Sequence, residues 1–139
     1  MLFIFDENYP VKLTEGLKLL EQGNRLSPIA VDVIDAITFM GRRGATDIDI
    51  IIAASNKEAI IITHDSDFKR IKHYKPFLLE HKVGFIYFKT PKSKGGYHYW
   101  DIVKSFVSKW EELKENISKD KHPFTYEVGK TGGISKCNF

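Results

Sequence analysis

Asp6, Asp49 and Asp65 are the residues from which chemistry can be argued in this sequence. Asp6 directly follows the apolar run at 2–5, and Asp65 stands just past the β-branched run at 59–63. Asp49 falls in the first turn of a helix predicted to start at Thr46 and to lead into that second run. In an open parallel sheet ligands bind beyond the carboxyl ends of the strands, and a helix entering a parallel strand begins at that same edge. If those two strands are neighbours, as right-handed crossovers allow, three acids from three segments converge. Their mutual repulsion calls for a cation. A carboxylate set without histidine or cysteine suits Mg²⁺ or Mn²⁺ better than zinc, and such ions can activate water against a phosphodiester.

Asp47 competes with Asp49 for the helix position. Residues two apart on a helix point roughly 200° from one another, so only one faces the edge. Asp49 shares a face with Ile52 and Ala53, which are expected to pack inward, and Asp47 is then a first-turn acid answering the helix dipole. Residue by residue, a simpler reading stands beside each assignment. Asp6 is equally a turn former with Asn8, Asp49 equally a partner of Thr46 in a capping box, and Asp65 or Asp67 equally the cap of the turn after the strand.

Positioning these acids requires a particular order of elements. Short apolar runs at 2–5, 29–34, 59–63 and 83–88 alternate with segments of helical period, the pattern of βαβ units and a mostly parallel sheet. A first helix is predicted with Asn8 as N-cap, Pro10 at the first helical position, Leu13, Leu17 and Leu20 on one face, and Gly23 closing it. Residues 39–44 read as a glycine-marked loop, 68–81 as helical turns, and 90–96 as a polar loop. From Tyr97 onward, Ile102, Val103, Phe106, Val107, Trp110 and Leu113 give an amphipathic helix. After Ser118 the pattern weakens to a terminal hairpin or a mobile tail.

The 139 residues, 42% of them hydrophobic, fit a single packed domain. One cysteine, Cys137, permits no internal disulfide and suits a reducing, cytoplasmic setting. The apolar start reaches a charge within six residues, far short of a membrane span or signal core. The net charge of +3 is mild, but basic residues group at 42–43, 69–75 and 89–94, as an anionic polymer would require.

Four stretches carry a family resemblance: Phe5-Asp6-Glu7-Asn8; Gly44-Ala45-Thr46-Asp47-Ile48-Asp49; Ile52-Ala53-Ala54; and Ile62-Thr63-His64-Asp65-Ser66-Asp67-Phe68. Over these the chain resembles the PIN-domain superfamily of metal-dependent ribonucleases, which includes VapC-type toxins of toxin–antitoxin pairs. The resemblance implies a three-layer α/β/α domain over 1–117, with 118–139 as hairpin or tail. It implies Asp6, Asp49 and Asp65 as catalytic metal ligands for Mg²⁺ or Mn²⁺, Asp67 as a fourth ligand, and Asn8 and Thr63 as residues that orient the carboxylates. It further implies an RNA substrate and a small antitoxin protein as partner, and the exposed acidic edge of a small domain also suits pairing of two copies. The link from Asp6 to Asp49 is too short for the extra acid-bearing helix of typical VapC-type toxins, so Glu7 or Asp35 is the candidate replacement.

Arg42 and Arg43, just before the Asp49 helix, are placed to reach phosphates, with Lys69, Arg70, Lys72 and Lys75 extending the track. Trp100 and Trp110 read as core, and 97–99 as helix-start packing in preference to base stacking. Two other functions share parts of the pattern. A catalytically silent PIN-like module would bind RNA or protein without cutting. A phosphorylation receiver would use the strand-end acids and Lys89-Thr90-Pro91, but it leaves Asp49 and the 65–68 ending without a role.

Overall fold

Alternation along the strands, read against the helices on either side, explains the architecture. In the computed structural model, described over residues 1–64, 68–89, 98–129 and 132–137 without the side chains of 68–71, the elements are β1 (Leu2–Phe5), α1 (Val11–Gly23), β2 (Asp32–Asp35), α2 (Ala36–Met40), α3 (Asp47–Ala54), β3 (Ala59–Thr63), α4 (Phe68–His81), β4 (Gly84–Phe88), α5 (Tyr99–Ser118), β5 (Thr125–Val128) and β6 (Ile134–Cys137). The strands form one sheet in the order β2-β1-β3-β4-β5-β6. Its first five strands are parallel, and β6 runs antiparallel to β5.

Successive strand residues point to opposite faces. Phe3 and Phe5 of β1, Ile60 and Ile62 of β3, and Ile86 and Phe88 of β4 pack with Leu13 and Leu17 of α1 and Phe106, Trp110 and Leu113 of α5. Ile4, Ile61, Phe85 and Tyr87 face the other way, onto Ala36 of α2, Ile50, Ile51 and Ala54 of α3, and Tyr74 and Leu78 of α4. The result is the expected three-layer α/β/α arrangement. The central strands β3 and β4 are buried throughout, which is why they read as unbroken apolar runs.

Several local expectations change. Pro10 and not Asn8 occupies the N-cap of α1. The buried stripe of that helix runs through Leu13, Thr14 and Leu17, leaving Leu20 exposed, and Val107 of α5 is likewise exposed. Residues 36–40, part of which read as loop, form α2, held by the Asp35 carboxylate accepting from the Thr38 amide at 2.9 Å and ended by Gly41 at φ 73°. Five residues are too few for a helical period to show. Strand β2 starts three residues later than expected, and β5 of the 118–139 segment lies parallel against β4.

One buried ion cluster joins the two helices of the first layer. Lys114 of α5 places its ammonium 2.5 Å from a carboxylate oxygen of Glu21 and 2.5 Å from one of Glu111, and the Trp110 indole N–H donates to Glu21 at 2.6 Å. The Lys114 and Glu21 side chains are only 4% and 8% exposed. Burial pushes Glu21 upward, but the bonds from Lys114 and Trp110 outweigh it and hold its carboxyl below the ordinary value. Burial opposes the charge on Lys114 as well, and the two carboxylates outweigh it and raise its pKa. The cluster therefore contributes stability above the unfolded glutamate value of about 4.3, and loses it as pH falls through the lower folded value. Glu21→Gln is expected to lower unfolding free energy at pH 7 by up to about 3 kcal/mol, the low end for breaking a buried pair because Glu111 still faces Lys114. Urea unfolding should show that difference shrinking as pH falls to about 3.

Candidate functional site

Asp6 continues the alternation of β1 by one residue. It falls on the side of Ile4, facing the α3 layer, at the carboxyl edge of the sheet. Its amide donates to the Ile62 carbonyl at 3.0 Å, which fixes it beside the end of β3. Thr63 lies on the same side as Ile61, and its hydroxyl donates to the Asp6 carboxylate. The Asn8 amide donates to the other carboxylate oxygen at 2.9 Å. The two residues expected to orient a carboxylate thus both contact Asp6, Asn8 through its backbone.

Asp6 is only 6% exposed. Burial raises its pKa above the ordinary aspartate value, and the nearby Asp47 charge pushes the same way; the Thr63 and Asn8 bonds and the neighbouring His64 pull it down without cancelling the shift. Asp6 and Asp47 line one cavity of about 310 Å³, together with Glu7, Asn8 and Tyr74. Two carboxylates across a small cavity, one of them desolvated, form an arrangement that a hard cation relieves.

Here the assignment of the helix acids reverses. The buried face of α3 is Ile50, Ile51 and Ala54, whereas Ile52 is half exposed. Counting back by three, four and seven from those residues gives Asp47, so Asp47 shares the inward stripe and enters the cavity. Asp49 points away from it and completes a capping box. The Thr46 hydroxyl accepts from the Asp49 amide at 3.1 Å, and the Asp49 carboxylate accepts from the Thr46 amide at 3.2 Å. The Arg42 guanidinium adds a contact at 3.3 Å. These bonds, led by the Thr46 amide, hold the Asp49 carboxyl below its usual range.

The remaining candidates divide. Glu7 accepts from the Gly44 amide at 2.8 Å, pinning the loop before α3 at the rim of the cavity. Asp35 caps α2 with both carboxylate oxygens on Thr38 and does not line the cavity. Burial pushes its pKa up, and the Thr38 bonds outweigh that and lower it. Arg43 is exposed in the same loop as Arg42. Lys69 and Arg70 fall in the first turn of α4. Asp65 and Asp67 lie outside the described residues. Among the described residues, no three histidine, cysteine or acidic side chains gather in a metal-binding group. His64 is structural: it is buried, its ring nitrogen Nε2 stands 2.6 Å from the Asn8 carbonyl oxygen, and its ring meets Tyr9 edge-on at 4.7 Å.

The family described as a PIN like domain matches residues 1–90, and the chain belongs to it. That family is of nuclease type. No curated protein and no solved structure matches the chain. The matched span includes β1, α3 and β3, the elements that bring Asp6, Asp47 and Thr63 together.

The capping box yields a test of the division between the two helix acids. Thr46→Ala is expected to lower stability by about 1 kcal/mol. It should also move the Asp49 carboxyl upward toward its ordinary value, read by carboxyl-carbon NMR titration.

Proposed function

We propose that this protein is a metal-dependent endoribonuclease in which Asp6 and Asp47, joined by Asp65, hold Mg²⁺ or Mn²⁺ at the carboxyl edge of the sheet. The observation that carries this reading is the desolvated Asp6 carboxylate facing Asp47 across a cavity, in a chain of a nuclease-type family. The donors are hard oxygens, as those ions require. Bound there, the ion would supply Lewis-acid chemistry at the phosphodiester. The chain's own part is orientation. Thr63 and the Asn8 amide fix the Asp6 carboxylate, Glu7 holds the 41–46 loop against the rim, and Arg42, steadied by Asp49, stands beside the helix end to meet phosphate. Hydrolysis adds a water oxygen to phosphorus and breaks the bond to the leaving ribose oxygen, which takes up a proton.

The nuclease-type family class supports placing the activity in the toxin of a toxin–antitoxin pair, with a small antitoxin as partner and a cytoplasmic setting. A PIN-like module that binds RNA or protein without cutting is the second reading, favoured by the short link from Asp6 to Asp49, which leaves no room for the further acid-bearing helix. No described helix is long and apolar enough to cross a membrane.

Incubation with RNA and Mn²⁺, against a chelator control, separates the readings. Wild-type protein is expected to cut. Asp6→Asn, Asp47→Asn and Asp65→Asn are each expected to lose about a hundredfold or more, while Asp49→Asn keeps most activity and loses stability instead. Equal cutting by Asp47→Asn and wild type would sink the proposed acid set, and binding without cutting would establish the silent module.

A second measurement does not depend on activity. Because the folded pKa of Asp6 lies above its unfolded value, its ionised form opposes folding at neutral pH, and this opposition is absent below the unfolded value of about 3.9. Without metal, Asp6→Asn is therefore expected to melt higher than wild type at pH 7, with the advantage vanishing in acid. Saturating Mn²⁺ should stabilise wild type by about 2.7 kcal/mol at a hundred times its Kd and leave Asp6→Asn unmoved. Thermal melts with and without Mn²⁺ read both effects.

A further inference from the structure

Tyr99 and Trp100 open α5 and are exposed, at 44% and 67%, although the helix behind them buries six of its side chains. Their rings meet edge to face at 5.6 Å, so two large aromatic surfaces stand together in water. The sequence placed Trp100 in the core; the structure leaves only Trp110 there. An exposed tryptophan is the informative case, because burying it would stabilise the fold and this helix does not do so.

Their location gives the exposure a meaning. β4 runs toward the carboxyl edge, so α5, the next described element, begins at that edge, where Asp6 and Asp47 lie. The connection between the two can be followed through packed groups. The Tyr9 amide donates to the Asp6 carbonyl at 3.2 Å, and the Tyr9 ring packs on Phe106 at 5.9 Å. Trp100 lies six residues before Phe106, about 9 Å back along the helix axis toward the edge. Exposed Lys12, at the start of α1, donates to Glu15 at 2.9 Å and is within electrostatic reach of Tyr99, and exposed Lys104 follows Trp100 by one turn on the same helix face. The pair sits on the α1 and α5 side of the edge, and the acids on the α3 side. A strand laid across the edge meets both.

We propose that Tyr99 and Trp100 form a base-stacking platform that positions single-stranded RNA across the acid edge, with Lys12 and Lys104 meeting the backbone phosphates. The proposal rests on the nuclease reading and adds to it the feature that would prefer unpaired strands, since only splayed bases present a free face for stacking. The platform lies beyond the 1–90 span that the family covers, so it belongs to this chain's own later part. Two rings flanked by lysines are a small patch beside the roughly 800 Å² that each partner buries in a standard protein interface, which favours a nucleic acid strand over a protein or a second copy.

Tryptophan fluorescence tests this directly, because Trp110 is buried and Trp100 is the chain's other tryptophan. The full chain, in chelator so that nothing is cut, is titrated with single-stranded oligouridylate of twelve residues and with the same strand annealed to its complement. The single strand is expected to quench the emission and the duplex to do so weakly. Trp100→Ala should lose the quench and bind about tenfold more weakly by fluorescence anisotropy of a labelled strand, as removal of one stacked base predicts, and Trp100→Phe should recover most of the affinity. Equal affinity of Trp100→Ala and wild type overturns the platform, even if Mn²⁺-dependent cutting is found. Trp100-dependent binding without any cutting keeps the platform and removes the nuclease reading. A dimer in sedimentation that Trp100→Ala converts to monomer, with RNA affinity unchanged, also overturns it.

Discussion

The two-residue alternation of β1 is the constraint on which everything else in this molecule hangs. It sends Phe3 and Phe5 to one helical layer and Ile4 to the other, and it leaves Asp6 as the first residue on the second side that is not apolar. The parallel pairing of β1 with β3 then brings Thr63 alongside, since Phe5 stands opposite Ile62. A slip of one residue would exchange the two layers and turn Asp6 toward the aromatic cluster under α5. The same packing that fixes the core therefore fixes the carboxylate.

Helix α3 completes the arrangement by dividing its two acids. Asp47 continues the stripe that packs on the sheet, and Asp49 closes the helix end against Thr46 and Arg42. One acid is satisfied by the bonds it accepts; the other faces a desolvated carboxylate. Satisfied acids lower the energy of the fold, and opposed acids raise it unless a cation intervenes. A helix of eight residues holds both conditions within its first turn.

The buried strands were legible in the sequence because a strand covered on both faces is a run of apolar residues, as 59–63 is. The Thr46 cap and the approach of Asp6 to the end of β3 were legible for the same kind of local reason. The face of α3 was not. Six of the eight residues from 47 to 54 are apolar, so nearly any register looks amphipathic, and the choice of Ile52 and Ala53 over Ile50, Ile51 and Ala54 turned Asp49 inward in place of Asp47. Trp100 was misread because ten residues of helix turn through about 1,000°, which leaves it about 80° round the axis from Trp110, on the side away from buried Ile102 and Phe106. Helix α2 is too short to leave a period at all.

The ion cluster that ties α1 to α5 has a meaning for how much chain is needed to make the fold. Glu21 lies within the 1–90 span that identifies the family, while Trp110 and Lys114, which satisfy it, lie twenty or more residues past its end. Phe106 and Trp110 also cover Phe3, Phe5 and Phe88 from that later segment. A polypeptide stopped at residue 90 would keep the acid pair in its sequence yet leave the apolar surface under α5 facing water. The segment that names the family is thus shorter than the packed unit, whose first layer is closed only by the last long helix.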